Sequence, residues 1–171
     1  EYEVLNPVKH LLKSGTRVVM TETCMEQLED FQANVFRNGD GGSFHGIQVR
    51  AIPAYNIVHE RSSGNPFHPK GAGNGYILSF GDTHVLIGGD TENIPEYKDL
   101  GMDIQVAFLP MNRPYTMTPE MAAQAANQSR QRVGQLRQPS FPRPTHRKLT
   151  FFVLEQVAQL VGQRRLLFQK G

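Results

Sequence analysis

The sequence has very little cysteine and no long apolar run, and each shortage excludes a class of protein. Cys24 is the single cysteine among 171 residues, which excludes an internal disulfide and favours a reducing compartment. No apolar run approaches the ~20 residues that a membrane-spanning helix needs, and a mean hydropathy of −0.43 is typical of soluble proteins. We therefore expect a cytoplasmic protein without a membrane span and with enough residues for a hydrophobic core.

Histidines are present but lack the spacing of a compact metal motif. No two of the six are spaced as His-x-His, and the sequence contains no Asp-His pair; the six are His10, His45, His59, His68, His84 and His146. Metal motifs built from neighbouring histidines on one loop or helix are therefore absent from this sequence.

Charge is distributed unevenly, and the break divides the chain into two parts. Residues 1–126 contain 9 Lys and Arg against 15 Asp and Glu, whereas residues 127–171 contain 9 against 1. We predict a folded domain over 1–126 and an atypical basic tail over 127–171, with a helix at 149–161 from the spacing of its apolar residues. Such a tail is typical of a solvated connector. The alternative is contact with an anionic membrane surface or nucleic acid through phosphate charges, without recognition of a specific nucleic acid.

Short strands and helices alternate with polar loops before this break, which predicts an α+β fold. Thr118 is a good helix N-cap, and Pro119 suits the first helical position. The alternation of apolar and polar side chains predicts strands over 17–20, 47–54, 75–80, 84–87 and 105–109. The caps and the turn residues predict helices over 7–13, 23–31 and 121–126 and a loop over 55–73.

The most informative motif is Ile-Gly-Gly-Asp-Thr at residues 87–91, which directly follows a predicted strand. It places the carboxylate of Asp90 at a strand end, where it is a candidate metal ligand or general base. The two glycines would let a metal or a substrate approach the backbone. A simple turn uses the same residue types, so only the motifs on either side favour a chemical role.

Several motifs surround Asp90 in a characteristic order. They are Gly-Ile-Gln-Val-Arg-Ala-Ile-Pro-Ala-Tyr-Asn-Ile at 46–57, Phe-His-Pro-Lys-Gly at 67–71, Gly-Asn-Gly-Tyr-Ile-Leu at 73–78, Ile-Pro-Glu at 94–96 and Ala-Phe-Leu-Pro-Met-Asn-Arg-Pro-Tyr-Thr-Met-Thr-Pro-Glu at 107–120. Together they closely resemble the metallo-β-lactamase superfamily. Within it, they resemble the small metal-dependent hydrolases related to the ascorbate-phosphate lactonases and the N-acyl-phosphatidylethanolamine phospholipases.

The resemblance implies part of a four-layer αβ/βα sandwich with one or two metals, usually zinc, at one edge of its two sheets. In that family a metal-bound hydroxide attacks the substrate, because the metal lowers the pKa of its water. We therefore expect zinc or another divalent metal, with two ions in an intact relative. The expected substrate is a small molecule with an ester, lactone, amide or phosphoester bond.

The resemblance also assigns residues to the site. Asp90 is the bridging carboxylate and catalytic residue, and His68 lies in a loop where relatives have a metal-binding histidine. Asn56 aligns with a ligating histidine of the phospholipase branch, but asparagine is a poor zinc ligand, so substrate contact or loop bracing suits it better. Lys70 is a candidate for neutralising an anionic substrate. Candidates for lining the pocket or holding an oxyanion are Tyr55, Asn112 and Tyr115.

Two parts of the family pattern are missing from the sequence. Relatives have a His-x-His-x-Asp-His loop, which we expect upstream of Glu1, and a final ligating histidine on a strand after the position of Ala126. We interpret the chain as a fragment or misframed product of a metal-dependent hydrolase that alone has little or no activity. The alternatives are a non-catalytic binding or regulatory relative, and a binder of anionic surfaces or nucleic acid through the basic tail.

Overall fold

The computed structural model describes residues 12–26, 32–130 and 150–154, and they form an α+β fold as the sequence predicts. A 3-10 helix at Pro95–Lys98 precedes the ninth strand. In chain order the other elements are β1 (Val19–Met20), α1 (Glu22–Glu26), β2 (Asn34–Val35), β3 (Gly41–Phe44), β4 (Ile47–Ala54), β5 (Glu60–Ser62), β6 (Asn65–Pro66), β7 (Gly73–Phe80), β8 (Thr83–Ile87), β9 (Val106–Pro110), α2 (Pro119–Ser129) and β10 (Thr150–Leu154).

A six-stranded mixed sheet with the order β10-β9-β8-β7-β4-β3 forms the centre of the described fold. Neighbouring strands from β3 to β8 are antiparallel, whereas β8, β9 and β10 are parallel to one another. Two small pairs, β1 with β2 and β5 with β6, lie outside this sheet. The parallel connection from β8 to β9 passes through the 3-10 helix, and it is the segment at the start of this connection that carries Asp90.

The two faces of the sheet differ in how well they are covered. On one face the buried side chains of β7, β8 and β9 pack against the 3-10 helix and α2, and this cluster includes Ile77, Leu86, Ala107, Tyr97 and Ala125. Side chains of the opposite face are only half-buried by the described residues. They line an apolar groove of about 330 Å³ whose walls include Phe44, Val49, Tyr76, Leu78 and Ile87.

The elements with strong local signals are confirmed with small shifts of their ends. The strand over 47–54 is found as predicted, and both strands of the predicted hairpin are present with slightly longer bounds. Thr118 accepts a hydrogen bond from the backbone N–H of Met121 at 3.2 Å, and Pro119 opens α2, so both features of the predicted helix start are confirmed. The helix predicted at 7–13 lies almost wholly outside the described residues.

Several short elements were not predicted, among them β3, β5 and β6, because their sequences carry weak local signals. β3 reads Gly-Gly-Ser-Phe, and its pairing with β4 brings the backbones so close that a Cβ added at Gly41 would lie 3.1 Å from the carbonyl oxygen of Val49. The small β5 and β6 pair interrupts the segment that was predicted to be a loop over 55–73.

The helix predicted over 149–161 is wrong over Thr150–Leu154, which is a strand parallel to β9. Its β-branched and aromatic residues favour extended structure, and pairing with the edge of β9 outweighs the helical spacing of the apolar positions. The rest of that range, and residues 131–149, lie outside the described residues. Helix α2 also continues to Ser129, beyond the boundary predicted after Ala126. The division into a domain and a basic tail therefore stays a prediction.

None of the helices in the described ranges has the length and the apolar character that a membrane span requires.

Candidate metal-binding site

The segment after the central strand β8 packs closely against β7, and this packing places Asp90 at the edge of the sheet where β8 ends. Gly89 has a φ of +69°, and a Cβ added there would lie 2.6 Å from the carbonyl oxygen of Asn74. A Cβ at Gly75 would lie 2.6 Å from the carbonyl oxygen of Gly88. The glycines are therefore required for contact between two backbones. The expectation that Gly88 and Gly89 let a metal or a substrate approach the backbone stays a prediction.

Asp90 and His68 face each other at this edge. The Oδ2 atom of Asp90 lies 3.8 Å from Nε2 of His68, and the side chains are 68% and 29% exposed. A separation of 3.8 Å is too long for a hydrogen bond, which needs about 3.2 Å or less between nitrogen and oxygen. The predicted pair of ligands is thus brought together across 22 residues of sequence, with the two atoms close but not bonded to each other.

Asn56 lies behind His68 and contacts its other ring nitrogen. The Oδ1 atom of Asn56 is 2.7 Å from Nδ1 of His68, and it also accepts the backbone N–H of His68 at 2.9 Å. Asn56 is itself buried, with 5% of its surface exposed. Because its oxygen is occupied by His68, the side chain suits bracing of the loop better than contact with a substrate.

Glu92 is a buried carboxylate that sequence analysis did not single out. It accepts hydrogen bonds from the side-chain amide of Asn56 at 3.1 Å and from the backbone N–H groups of Ile57, Val58 and His59 at 2.7 to 2.8 Å, and it also contacts Nδ1 of His59. Burial alone would raise the pKa of Glu92, but these hydrogen bonds outweigh it and lower the pKa. Its only signal in the sequence is its position directly after the Gly-Gly-Asp-Thr motif.

A second polar cluster, formed by Tyr55, Lys70 and Glu96, lies beside the site. Nζ of Lys70 is 2.8 Å from Glu96 and 4.7 Å from the centre of the Tyr55 ring, and the Tyr55 hydroxyl donates to Glu96 at 3.1 Å. Burial raises the pKa of Tyr55, while the hydrogen bond to Glu96 raises the pKa of Lys70. Lys70 thus has a carboxylate partner, and the predicted substrate-binding roles of Tyr55 and Lys70 stay predictions.

The remaining two candidates lie in one turn before α2. The carbonyl oxygen of Tyr115 accepts the side-chain amide of Asn56 at 3.0 Å, and its ring packs edge-on against Phe67 with centroids 4.9 Å apart. The backbone of Asn112 exchanges hydrogen bonds with Thr116 at 2.7 to 3.2 Å, which closes the turn. The structure therefore connects Tyr115 to the site through Asn56, and it gives Asn112 contacts within its own turn.

The geometry of Asp90 and His68 fits two ligands of one metal ion. Ligands that each bind zinc at about 2.0–2.2 Å can lie at most about 4.3 Å apart, and the observed 3.8 Å is inside that limit. Nδ1 of His68 is engaged by Asn56, so Nε2 is the ring nitrogen that remains for a metal. Within residues 12–26 and 32–130, no group of three or more His, Cys, Asp or Glu side chains is arranged to hold a metal.

Comparison with solved structures relates this fold to metal-dependent hydrolases. A structure named "Putative metal-dependent hydrolase", from Parabacteroides distasonis ATCC 8503, is 44% identical in sequence, with a TM-score of 0.60 over 68% of this chain and 50% of that one. The chain has the fold of the metallo-β-lactamase superfamily. This confirms the family resemblance predicted from the sequence, whereas the branch within the superfamily stays a prediction.

Other similarities to this metallo-β-lactamase fold are weaker. Igni18, "a novel metallo hydrolase" from Ignicoccus hospitalis KIN4/I, is 22% identical with a TM-score of 0.51, and it covers 72% of this chain and 51% of its own length. The chain thus spans about half the length of the two solved structures. A Thermotoga maritima structure, a "putative zn-dependent hydrolase of the metallo-beta-lactamase superfamily", is 15% identical over 57% of this chain and 45% of its own, with a TM-score of 0.43. No protein-family model and no curated protein matches the sequence.

Proposed function

We propose that the chain is part of a metal-dependent hydrolase in which Asp90 and His68 ligate a divalent metal, with zinc as the first candidate. The observation that carries the proposal is the 3.8 Å separation of Asp90 Oδ2 and His68 Nε2, with Nδ1 of the same ring held by Asn56. A carboxylate and a neutral imidazole are typical zinc ligands. The 44% identical structure supports a metal-dependent hydrolase on independent grounds.

A bound metal would supply a hydroxide at neutral pH by lowering the pKa of a coordinated water. Around it, this chain provides an anionic ligand at the sheet edge, a neutral nitrogen ligand and a nearby paired lysine, Lys70. Such a site suits a small molecule with an ester, lactone, amide or phosphoester bond.

We propose that this chain alone binds metal weakly, because its described residues offer few ligands. A catalytic zinc site has about three protein ligands and a water, and the described part of the chain offers two. We propose that the other ligands belong to parts of the complete hydrolase that the described residues do not include. The isolated chain should therefore hydrolyse substrates slowly or not at all.

Zinc titration of the 171-residue chain by calorimetry tests the proposal. Asp90→Asn and His68→Gln should each weaken zinc binding by at least about tenfold, because each variant removes one of two ligands. His84→Gln is the matched control, since His84 lies at the other end of β8, 2.8 Å from Ser79. Circular dichroism should show that all variants are folded. Equal affinities in all three variants would contradict the assignment of the ligands, and near-normal hydrolysis by the chain alone would contradict the ligand count.

A non-catalytic binding relative is the second candidate function. The observation that favours it is that the described residues include no group of three metal-ligating side chains. It predicts that the wild-type chain does not bind zinc at any practical concentration. The role proposed for the basic tail as a binder of anionic surfaces stays a prediction, because residues 131–149 lie outside the described ranges.

A further inference from the structure

The side-chain amide of Asn56 has a single orientation that satisfies its surroundings. Its nitrogen faces two acceptors, the carboxylate of Glu92 at 3.1 Å and the carbonyl oxygen of Tyr115 at 3.0 Å. Its oxygen faces the backbone N–H of His68 and Nδ1 of the His68 ring. A flipped amide would place its oxygen against the two acceptors and its N–H groups against the backbone donor. The contacts therefore determine which end of the amide faces His68.

An amide oxygen can only accept a hydrogen bond, so Nδ1 of His68 must donate one. A neutral imidazole carries a single N–H, and its second nitrogen then has a free lone pair. In His68 that second nitrogen is Nε2, the atom that faces Asp90 at 3.8 Å. In the absence of a metal, a carboxylate at that position would favour a proton on Nε2. Asn56 therefore opposes the preference that Asp90 imposes on the ring.

Glu92 holds the amide from the other side and belongs to the same segment as Asp90. The two carboxylates are two residues apart, yet Asp90 is 68% exposed and Glu92 is 1% exposed. Glu92 accepts three backbone N–H groups from residues 57–59 as well as the Asn56 amide, so it also holds the chain that follows Asn56. One short segment thus places the candidate ligand Asp90 at the surface and, in the interior, Glu92, which holds the amide behind the other candidate ligand.

We infer that Asn56 and Glu92 are positioning residues: Glu92 orients the Asn56 amide, and Asn56 keeps His68 as the Nδ1–H tautomer with an unprotonated Nε2 directed at Asp90. The value of this arrangement for metal binding rests on the proposed function, whereas the tautomer itself is a property of the metal-free chain. Outer partners of this kind change metal affinity by about 10- to 100-fold when they are removed. Neither residue needs to contact the metal or the substrate.

Long-range ¹H–¹⁵N spectra of imidazole rings in the metal-free, uniformly labelled 171-residue chain test the inference at about pH 8.5. The His68 resonances are assigned by their loss in His68→Gln. In the wild type, Nδ1 should be the protonated nitrogen. In Asn56→Leu, a substitution of similar size without an acceptor, the proton should move to Nε2. Glu92→Gln should give a mixture of both tautomers, because the amide loses its fixed orientation.

Asn127→Leu is the matched control, since Asn127 is an exposed residue of α2. It should leave the His68 tautomer unchanged. A wild-type His68 protonated on Nε2 would overturn the inference, whether or not any variant folds. An Nδ1–H tautomer that persists in a folded Asn56→Leu chain would overturn it as well. A wild-type chain that shows the expected tautomer but does not bind zinc would count against the proposed ligands instead, so the two failures are distinguishable.

Discussion

The close approach of the Asp90 segment to β7 makes a quantitative prediction for Gly89. Alanine at a left-handed position costs about 1–2 kcal/mol of backbone strain. At Gly89 the added Cβ would also lie 2.6 Å from the carbonyl oxygen of Asn74, a fixed backbone atom that cannot move aside as a flexible side chain would. Overpacking of this kind costs about another 1–3 kcal/mol. We therefore expect Gly89→Ala to lower the free energy of unfolding by about 2–5 kcal/mol.

Gly81 provides the matched control in the hairpin between β7 and β8. It has a φ of +58°, and a Cβ added there would meet no atom within 4 Å. Gly81→Ala should therefore cost only the backbone strain of about 1–2 kcal/mol. The loss of flexibility in the unfolded chain is similar for both substitutions, so it cancels in the comparison. The difference between the two variants isolates the contact with Asn74.

Urea unfolding followed by far-ultraviolet circular dichroism measures both variants, since the chain has no tryptophan for fluorescence. The Gly89 variant should unfold at the lower urea concentration with an unchanged m-value. In addition, zinc binding should weaken in Gly89→Ala, because the displaced segment carries Asp90. Equal destabilisation in the two variants would refute the claim that the glycines serve the contact between backbones.

Two further substitutions and one control substitution test the packing of the core and the polar cluster of Tyr55, Lys70 and Glu96. Leu86→Ala should lower the free energy of unfolding by about 2–5 kcal/mol, because Leu86 is fully buried under α2 and the 3-10 helix. The control Ile57→Ala, at a position that is 51% exposed, should change the free energy of unfolding in urea by less than about 0.5 kcal/mol. Similar costs for the two variants would contradict the assigned core. Burial tends to raise the pKa of Glu96, but hydrogen bonds from Lys70 and Tyr55 lower the pKa below the usual 4.5. The stability that ionised Glu96 gives to the folded chain is therefore present above pH 4.5 and is lost on further acidification. Glu96→Gln should therefore reduce the melting temperature at neutral pH, and the deficit should shrink below pH 4.5; a deficit that is independent of pH would refute the ionic contribution.

Periodicity in the sequence determined the elements whose signals are local. The strand over 47–54 and the hairpin that follows it were predicted because alternating side chains and turn residues lie within a few positions of one another. The start of α2 was predictable because its cap and its proline are neighbours. The position of Asp90 at a strand end followed from one contiguous motif, and the order of the motifs around it was sufficient to recognise the fold.

Tertiary structure alone decided which residues support the site. Glu92 acts on Asn56, 36 residues earlier, and on backbone N–H groups that have no signature in the sequence, so only its position after the Gly-Gly-Asp-Thr motif marks it. The same holds for the glycine-rich β3, whose pairing outweighs its composition, and for β10, whose pairing with β9 outweighs the helical spacing of its apolar residues. A motif determines which chemical group stands at a strand end, because that depends on adjacent residues. Which neighbours orient that group depends on contacts between distant segments, and those exist only once the chain has folded.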